Sequence, residues 1–348
     1  MTYSMTKIRN PNWDKARQKA YEVIKQHNIQ DFPINIKEII SRYSNIKILT
    51  YNEFASRRNI LIEDVIKINA SEDGCIHYYA TKDRYIILYN DEIKLPERIY
   101  WTLAHEFGHY ILKHHKESNR SNLSRLEITD EEYDLYELEA DFFARFLINP
   151  PSIIKEWNVI DTYRVMNFFR VSFSAANNTL SYLRRIARNG WTVVAPDDIK
   201  KQLNNFIYIV NHGKTCSECN SFFVYENFNF CPNCGSSSLH DQERGDDFNM
   251  IYPGIEVDEK SRATRYCPHC DNEEIDYDGD YCSICCSYLI NECTSDNNSG
   301  GSCGTLPGNA RYCFQCGSKS TFYRDGYLKE WNSSTKVSNE FPIEDLPF

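Results

Sequence analysis

His105-Glu106-Phe107-Gly108-His109 is the stretch on which the reading of this chain turns. Its pattern is H-E-x-x-H. On a helix, side chains four residues apart share a face, so both imidazoles can hold one Zn²⁺ at ~2.0–2.1 Å. Glu106 sits one step round the same helix. There it can take a proton from a water that the metal acidifies towards pKa ~7. The pattern points to a hydrolase whose nucleophile is generated by a metal. Five residues also recur by chance on amphipathic helices with surface histidines, so the surroundings carry the weight.

Upstream, Pro96 suits the first position of a helix. Ile99, Leu103, Phe107 and Tyr110-Ile111 recur at helical spacing. Gly108 suits close approach of a backbone or a substrate. A zinc hydrolase needs a third protein ligand and one open position. The segment Tyr136 to Leu147, stopped by Pro150-Pro151, is a strong helix candidate. Within it Glu137 and Asp141 lie four apart on one face. Glu137 is the favoured third ligand, with Asp141 holding the free ring nitrogen of a ligand histidine. Glu139 lies about 200° away from Glu137 on an ideal helix, so the two carboxylates cannot both face the metal. Glu131, Glu132 and Asp134 read as a solvated acidic face.

His105-Glu106-Phe107-Gly108-His109, then Glu137-Leu138-Glu139-Ala140-Asp141-Phe142-Phe143-Ala144, then Leu147-Ile148-Asn149-Pro150, resembles the ImmA/IrrE family of zinc metallopeptidases. The resemblance extends over about residues 10–190. It implies a zincin-like domain with His105, His109 and Glu137 as zinc ligands and Glu106 as general base. It also implies a cytoplasmic endopeptidase of narrow specificity, often directed at a helix-turn-helix transcriptional repressor.

Around this core, residues 12–28 read as a helix with Trp13, Ala16, Ala20, Val23 and Ile24 on one side. Ile34 to Tyr43 reads as a second, short helix, and Ile46 to Leu49 as a strand. Cys75 to Tyr79 and Tyr85 to Leu88-Tyr89 read as two strands joined by a hairpin-length loop. An edge strand beside the 105–109 helix would hold an extended peptide by strand addition. Residues 115–130 are polar and read as a loop. Residues 152–157 and 161–188 read as helical, divided at Val171-Ser172-Phe173-Ser174, with Ser174 able to cap the later helix. A DNA-reading helix-turn-helix is a minor alternative there. Residues 191–212 are expected to be a linker, with Trp191–Val194 and Phe206–Val210 as strands or packing segments.

Fourteen cysteines would suggest disulfides in a small secreted domain, but thirteen fall after residue 215, mostly as C-x-x-C pairs. With no apolar run near the ~20 residues of a membrane span and no apolar segment behind Met1 to Lys7, the expected compartment is the cytoplasm. There such pairs mean metal. Cys75 stands alone and reads as a small buried hydrophobe. Cys216, Cys219, Cys231 and Cys234 form one four-thiolate unit, at about 213–240. Cys267, Cys270, Cys282 and Cys285 form a second with the same spacing, at about 262–290, making an internal repeat. A third, at about 291–330, is assigned to Cys293, Cys303, Cys313 and Cys316, with Cys286 as a spare that would replace one of them. All three look like zinc ribbons, which fold on metal. Residues 331–348 form a tail that either docks or is disordered.

The formal net charge is −10, and residues 212–348 hold 10 Lys/Arg against 22 Asp/Glu. That balance argues against nucleic acid as a partner of the ribbons. Their tyrosines and phenylalanines, among them Tyr266, Tyr281, Tyr288, Tyr312, Phe322, Tyr323 and Tyr327, read chiefly as packing surface.

The expected protein is α+β: a metallopeptidase domain of helices and a small sheet, followed by small zinc-ribbon β modules. It would carry one catalytic Zn²⁺ and two or three structural ones, and cut a specific protein. The alternative is a non-proteolytic regulator that controls a repressor or defence partner through the ribbon region.

Overall fold

The structure, a computed structural model, describes residues 10–118, 130–241, 253–258, 264–273, 279–295 and 303–331. The chain divides into two compact units, Met1–Asn211 and His212–Phe348.

The first unit opens with α1 (Trp13–Gln26), whose Asn12 side chain accepts from the Lys15 N–H and so caps a free backbone donor. Its Ala16, Ala20, Val23 and Ile24 are buried. Then follow α2 (Ile36–Ser41), β1 (Ile46–Thr50), α3 (Tyr51–Arg58), α4 (Ile62–Asn69), β2 (Gly74–Tyr79) and β3 (Arg84–Tyr89). The sheet order is β1-β3-β2. β1 runs parallel to β3, with Ile46 opposite Tyr85, and β2 runs antiparallel to it, with Ile76 opposite Ile87. Alternation along β3 sends Tyr85, Ile87 and Tyr89 into the main core. Leu88 points the other way, onto Tyr51, Ala55 and Val65 of α3 and α4. The pattern of these two eight-residue helices is too short to be distinctive in sequence.

On the main-core face lies α5 (Pro96–Leu112), with Pro96 at its first turn. It is followed by α6 (His114–Ser118) and α7 (Asp130–Ile148). The loop expected from residue 115 is thus helical as far as Ser118; residues 119–129 lie outside the described residues. Next come α8 (Pro151–Ile154), α9 (Thr162–Phe169) and α10 (Phe173–Arg188). The cap of α10 is Ser172, which accepts from the Ala175 N–H, and not Ser174, which is the helix's second residue.

Residues 191–211 are not a linker. They form α11 (Asp197–Gln202) and most of α12 (Asn204–His212). Val193, Ala195, Ile199, Leu203, Phe206 and Val210 are buried in the main core. Phe206 meets Phe32 at 5.2 Å, and Trp157 stacks on Phe169 at 5.4 Å. The reason is visible in the spacing: Ile199, Leu203, Phe206 and Val210 recur at four, three and four residues, a helical period carried across α11 and α12.

The second unit contains β4 (Gly213–Cys216), β5 (Phe222–Val224) and β6 (Leu239–Asp241) in the order β5-β4-β6, and α13 (Thr321–Arg324). One turn recurs in it five times. The first cysteine of each C-x-x-C pair accepts at its carbonyl from the N–H four residues on: Asn220, Gly235, Asp271, Cys286 and Gly317, each at 2.9 Å. All five of these residues have positive φ, between 54° and 77°. Cys286 is therefore the left-handed residue of its turn, exposed, and not a spare ligand. Gly235 and Gly317 have a second reason to be glycine. A Cβ on Gly235 would meet the Tyr312 ring at 2.8 Å, and one on Gly317 would meet Phe230 at 2.8 Å. Each of these rings precedes the first cysteine of the opposite turn, so the two turns cover one another. Other aromatics pack locally, as expected: Tyr281 on Tyr288 at 5.1 Å and Tyr312 on Tyr323 at 5.2 Å. The 332–348 tail lies outside the described residues, and among those described no helix is long and apolar enough to cross a membrane.

Candidate metal centre

α5 and α7 cross at their smallest residues. A Cβ on Gly108 would lie 3.3 Å from the Ala140 Cα and 3.0 Å from Phe143, so the close approach that Gly108 permits is to the backbone of α7. This contact sets three carboxylates around α5. Glu137 and Asp141 lie on one flank of the crossing and Glu139 on the other.

On the first flank, Glu137 Oε2 lies 3.1 Å from His105 Nε2, and its Oε1 lies 3.4 Å from His109 Nε2. The two Nε2 atoms are 3.1 Å apart. Three ligands at ~2.0–2.1 Å from a tetrahedral zinc are separated by edges of about 3.3 Å. The two imidazole nitrogens and the Glu137 carboxylate therefore converge as three ligands for one zinc ion, and the donor set leaves a fourth position open. His105 Nδ1 donates to Asp141 Oδ1 at 2.8 Å, which turns its bare Nε2 toward Glu137. The geometry thus brings together His105, His109, Glu137 and Asp141 in the arrangement expected from spacing. Glu139 is fully buried and faces away, as the helical angle requires.

The charges follow from burial and partners. Burial works against ionised Glu137, but the two imidazoles beside it outweigh burial and hold the carboxyl well below the usual carboxylate range. Glu106 is buried, and that burial raises its carboxyl; His105 and His109 pull it down, while Glu137 and Asp73 push it up. A carboxylate raised in this way is a better proton acceptor than a solvated one.

Sequence reasoning did not find the support of His109. Its Nδ1 lies 3.0 Å from His114 Nδ1, and His114 Nε2 lies 3.1 Å from Glu139 Oε2. Burial pushes His114 down to about 4, against the pull of Glu139. The signal available was the second carboxylate of Glu137-x-Glu139 together with His114-His115 just past α5. His115 Nε2 donates to the Ile76 carbonyl of β2 at 3.2 Å, and Tyr110 donates to Asn45 Oδ1 at 2.7 Å. All three of these neighbours of the motif are thus committed to partners within the fold.

In the second unit three cysteine sets converge: Cys216, Cys219, Cys231 and Cys234; Cys267, Cys270, Cys282 and Cys285; Cys293, Cys303, Cys313 and Cys316. Closest Sγ–Sγ distances are 3.6 Å in the first, 3.5 Å in the second and 3.3 Å in the third. A tetrahedral zinc with bonds of ~2.3 Å sets its sulfurs about 3.8 Å apart, so each set fits such an ion. Hydrogen bonds from Cys231 and Ser221 bring Cys219 down to about 4 despite burial, and Ser287 brings Cys285 down to about 5. Cys75 takes no part in these sets; burial raises its thiol.

A buried H-E-x-x-H helix with a carboxylate ligand from a second, crossing helix defines a metallopeptidase-type site. Residues 61–181, which hold every residue of that site, match the family model Peptidase_M78, described as the IrrE N-terminal-like domain. The resemblance drawn from the motifs therefore stands for this segment and supports a peptidase function for the first unit. No curated protein matches the chain.

Proposed function

We propose that the protein is a zinc-dependent endopeptidase that cleaves a specific protein, a helix-turn-helix transcriptional repressor being the candidate substrate. One observation carries the reading: the His105 and His109 Nε2 atoms and the Glu137 carboxylate converge, with ligand atoms within 4.8 Å of one another, and Glu106 is buried beside them. A zinc ion held there supplies Lewis acidity toward a water and a substrate carbonyl. Glu106 takes the proton of the attacking water and passes it to the leaving amine as the peptide bond breaks. Asp141 keeps the His105 proton on Nδ1. β2 is an edge strand of the sheet beside α5, and an extended substrate adds to it through backbone hydrogen bonds.

The decisive experiment incubates the purified zinc-loaded chain and its Glu106→Gln variant with the candidate repressor. The variant is expected to keep its metal and to lose cleavage by about 10²–10⁴-fold. Undiminished cleavage would remove Glu106 from the mechanism. A variant that cuts nothing yet still relieves repression would favour the regulatory-binding reading.

A further inference from the structure

We propose that His114 and Glu139 form a relay that dictates which nitrogen of His109 carries its proton, which makes them the positioning residues of the second imidazole ligand. The proposal rests on the reading of His105, His109 and Glu137 as a zinc site. It does not depend on peptidase activity.

The argument is an inventory of hydrogens. Glu139 is fully buried and its two oxygens are both engaged. Oε1 accepts the Asn12 backbone N–H at 2.6 Å, and Oε2 lies 3.1 Å from His114 Nε2. With Glu139 as the accepting, carboxylate end of the relay, the proton of His114 sits on Nε2. In a neutral imidazole Nδ1 is then bare. His114 Nδ1 lies 3.0 Å from His109 Nδ1. Two nitrogens at that distance share one hydrogen, and it must be on His109. His109 Nε2 is left as a lone pair, and it is this atom that lies 3.1 Å from His105 Nε2 and 3.4 Å from Glu137 Oε1. The opposite orientation of the chain would put a proton on His109 Nε2 and exclude it as a ligand.

The relay does for His109 what Asp141 does for His105, with one imidazole interposed. The interposition has a geometric cause. Ala140 occupies the crossing with Gly108, so a carboxylate two residues after Glu137 projects to the far flank of α7. A direct contact with His109 is out of reach there, and His114 bridges it. The two arms also differ in exposure. The Asp141 side chain is 47% exposed, whereas those of His114 and Glu139 are 0% exposed. Tyr136 closes the second arm, its ring 4.6 Å from that of His114. Water cannot substitute for a missing partner on this side, so the cost of breaking the relay falls on His109.

The test is tautomer assignment by long-range ¹H–¹⁵N correlation on the full-length, zinc-loaded chain with ¹⁵N-labelled histidine. Opposite tautomers are expected: His109 protonated at Nδ1 with a metal-bound Nε2, and His114 protonated at Nε2. With His109 Nε2 still metal-bound, a proton on His114 Nδ1, or a doubly protonated His114, overturns the relay and not the zinc reading. If His105 and His109 show no metal-bound signal, the relay falls together with the reading on which it rests. No variant is needed, so the measurement stands even where a buried substitution fails to fold. Variants then read its strength by the metal-bound His105 signal during chelator titration. His114→Phe keeps a ring without an acceptor and is expected to weaken that site by about 10–100-fold. His114→Asn keeps an acceptor oxygen near the place of Nδ1 and is expected to restore most of the affinity. Equal affinity in both variants would show that His114 acts by packing alone.

Discussion

At the scale of single residues, the site depends on where protons sit. Two imidazole nitrogens 3.1 Å apart, each 3.1–3.4 Å from an oxygen of Glu137, make a ligand set only if both Nε2 atoms are bare. Asp141 secures this for His105 by taking the Nδ1 hydrogen at 2.8 Å. Asp141→Ala is therefore expected to lower metal affinity at this site by about 10-fold, the lower end of the range for such partners, because the exposed carboxylate is readily replaced by water. Chelator competition on the folded variant measures it. An unchanged affinity would mean that packing alone orients His105. The same residue scale explains Glu137 and Glu139. They are two positions apart and about 200° apart on the helix, and the structure gives one to the ligand set and the other to His114.

At the scale of elements, the turn at Lys113 shapes the site from behind. Lys113 ends α5 in the left-handed region, with φ 65° and ψ 31°. It redirects the chain so that His114 lies beneath His109 and not further along the helix. A left-handed conformation costs an ordinary L-residue about 1–2 kcal/mol and glycine almost nothing. Lys113→Gly is expected to keep or raise stability, by up to about 1 kcal/mol. Lys113→Val is expected to lower it by about 1–2 kcal/mol. Thermal unfolding of the two variants checks the sign, and a destabilised glycine variant would contradict the turn argument. The cysteine turns show the same economy: five left-handed positions are filled by Asn, Asp, Gly, Gly and Cys286. That placement accounts for the cysteine that spacing alone left over.

At the scale of the whole molecule, the two units are held together by different means. The first has a continuous apolar core running from Ala16 to Val210. The buried apolar clusters of the second are small and consist largely of cysteines from the three ligand sets, with a few others such as Phe223, Leu289 and Leu306. Modules that lack an independent core fold on their metal. A strong chelator is therefore expected to abolish amide-exchange protection after residue 212 while protection persists before it. Simultaneous loss in both units, or persistence in both, would contradict the division. The result also matters for assays: with three cysteine sets against one histidine set among the described residues, total zinc content reports mainly on structure.

Much of this was legible in the chain as written. Local periodicity places α1, α5, α7 and the β2–β3 hairpin, because helix and strand repeats are properties of neighbouring residues. H-E-x-x-H, the carboxylates at Glu137 and Asp141 and the paired cysteines announce ligand sets for the same reason: spacing on one element fixes a shared face. The 191–211 segment carries a helical period too, which its short apolar runs obscure. Other features needed the tertiary structure. Asn12, which caps α1, His114 on α6 and Glu139 on α7 meet behind His109 only after α5 and α7 cross at Gly108 and Ala140. Cys293 and Cys303, ten residues apart, join Cys313 and Cys316 only in the folded chain. Sequence by itself determined which residues are chemically able to bind metal and which share a face. Only packing between distant elements decided which proton, partner and ligand each one receives, since those depend on distances that no local repeat encodes.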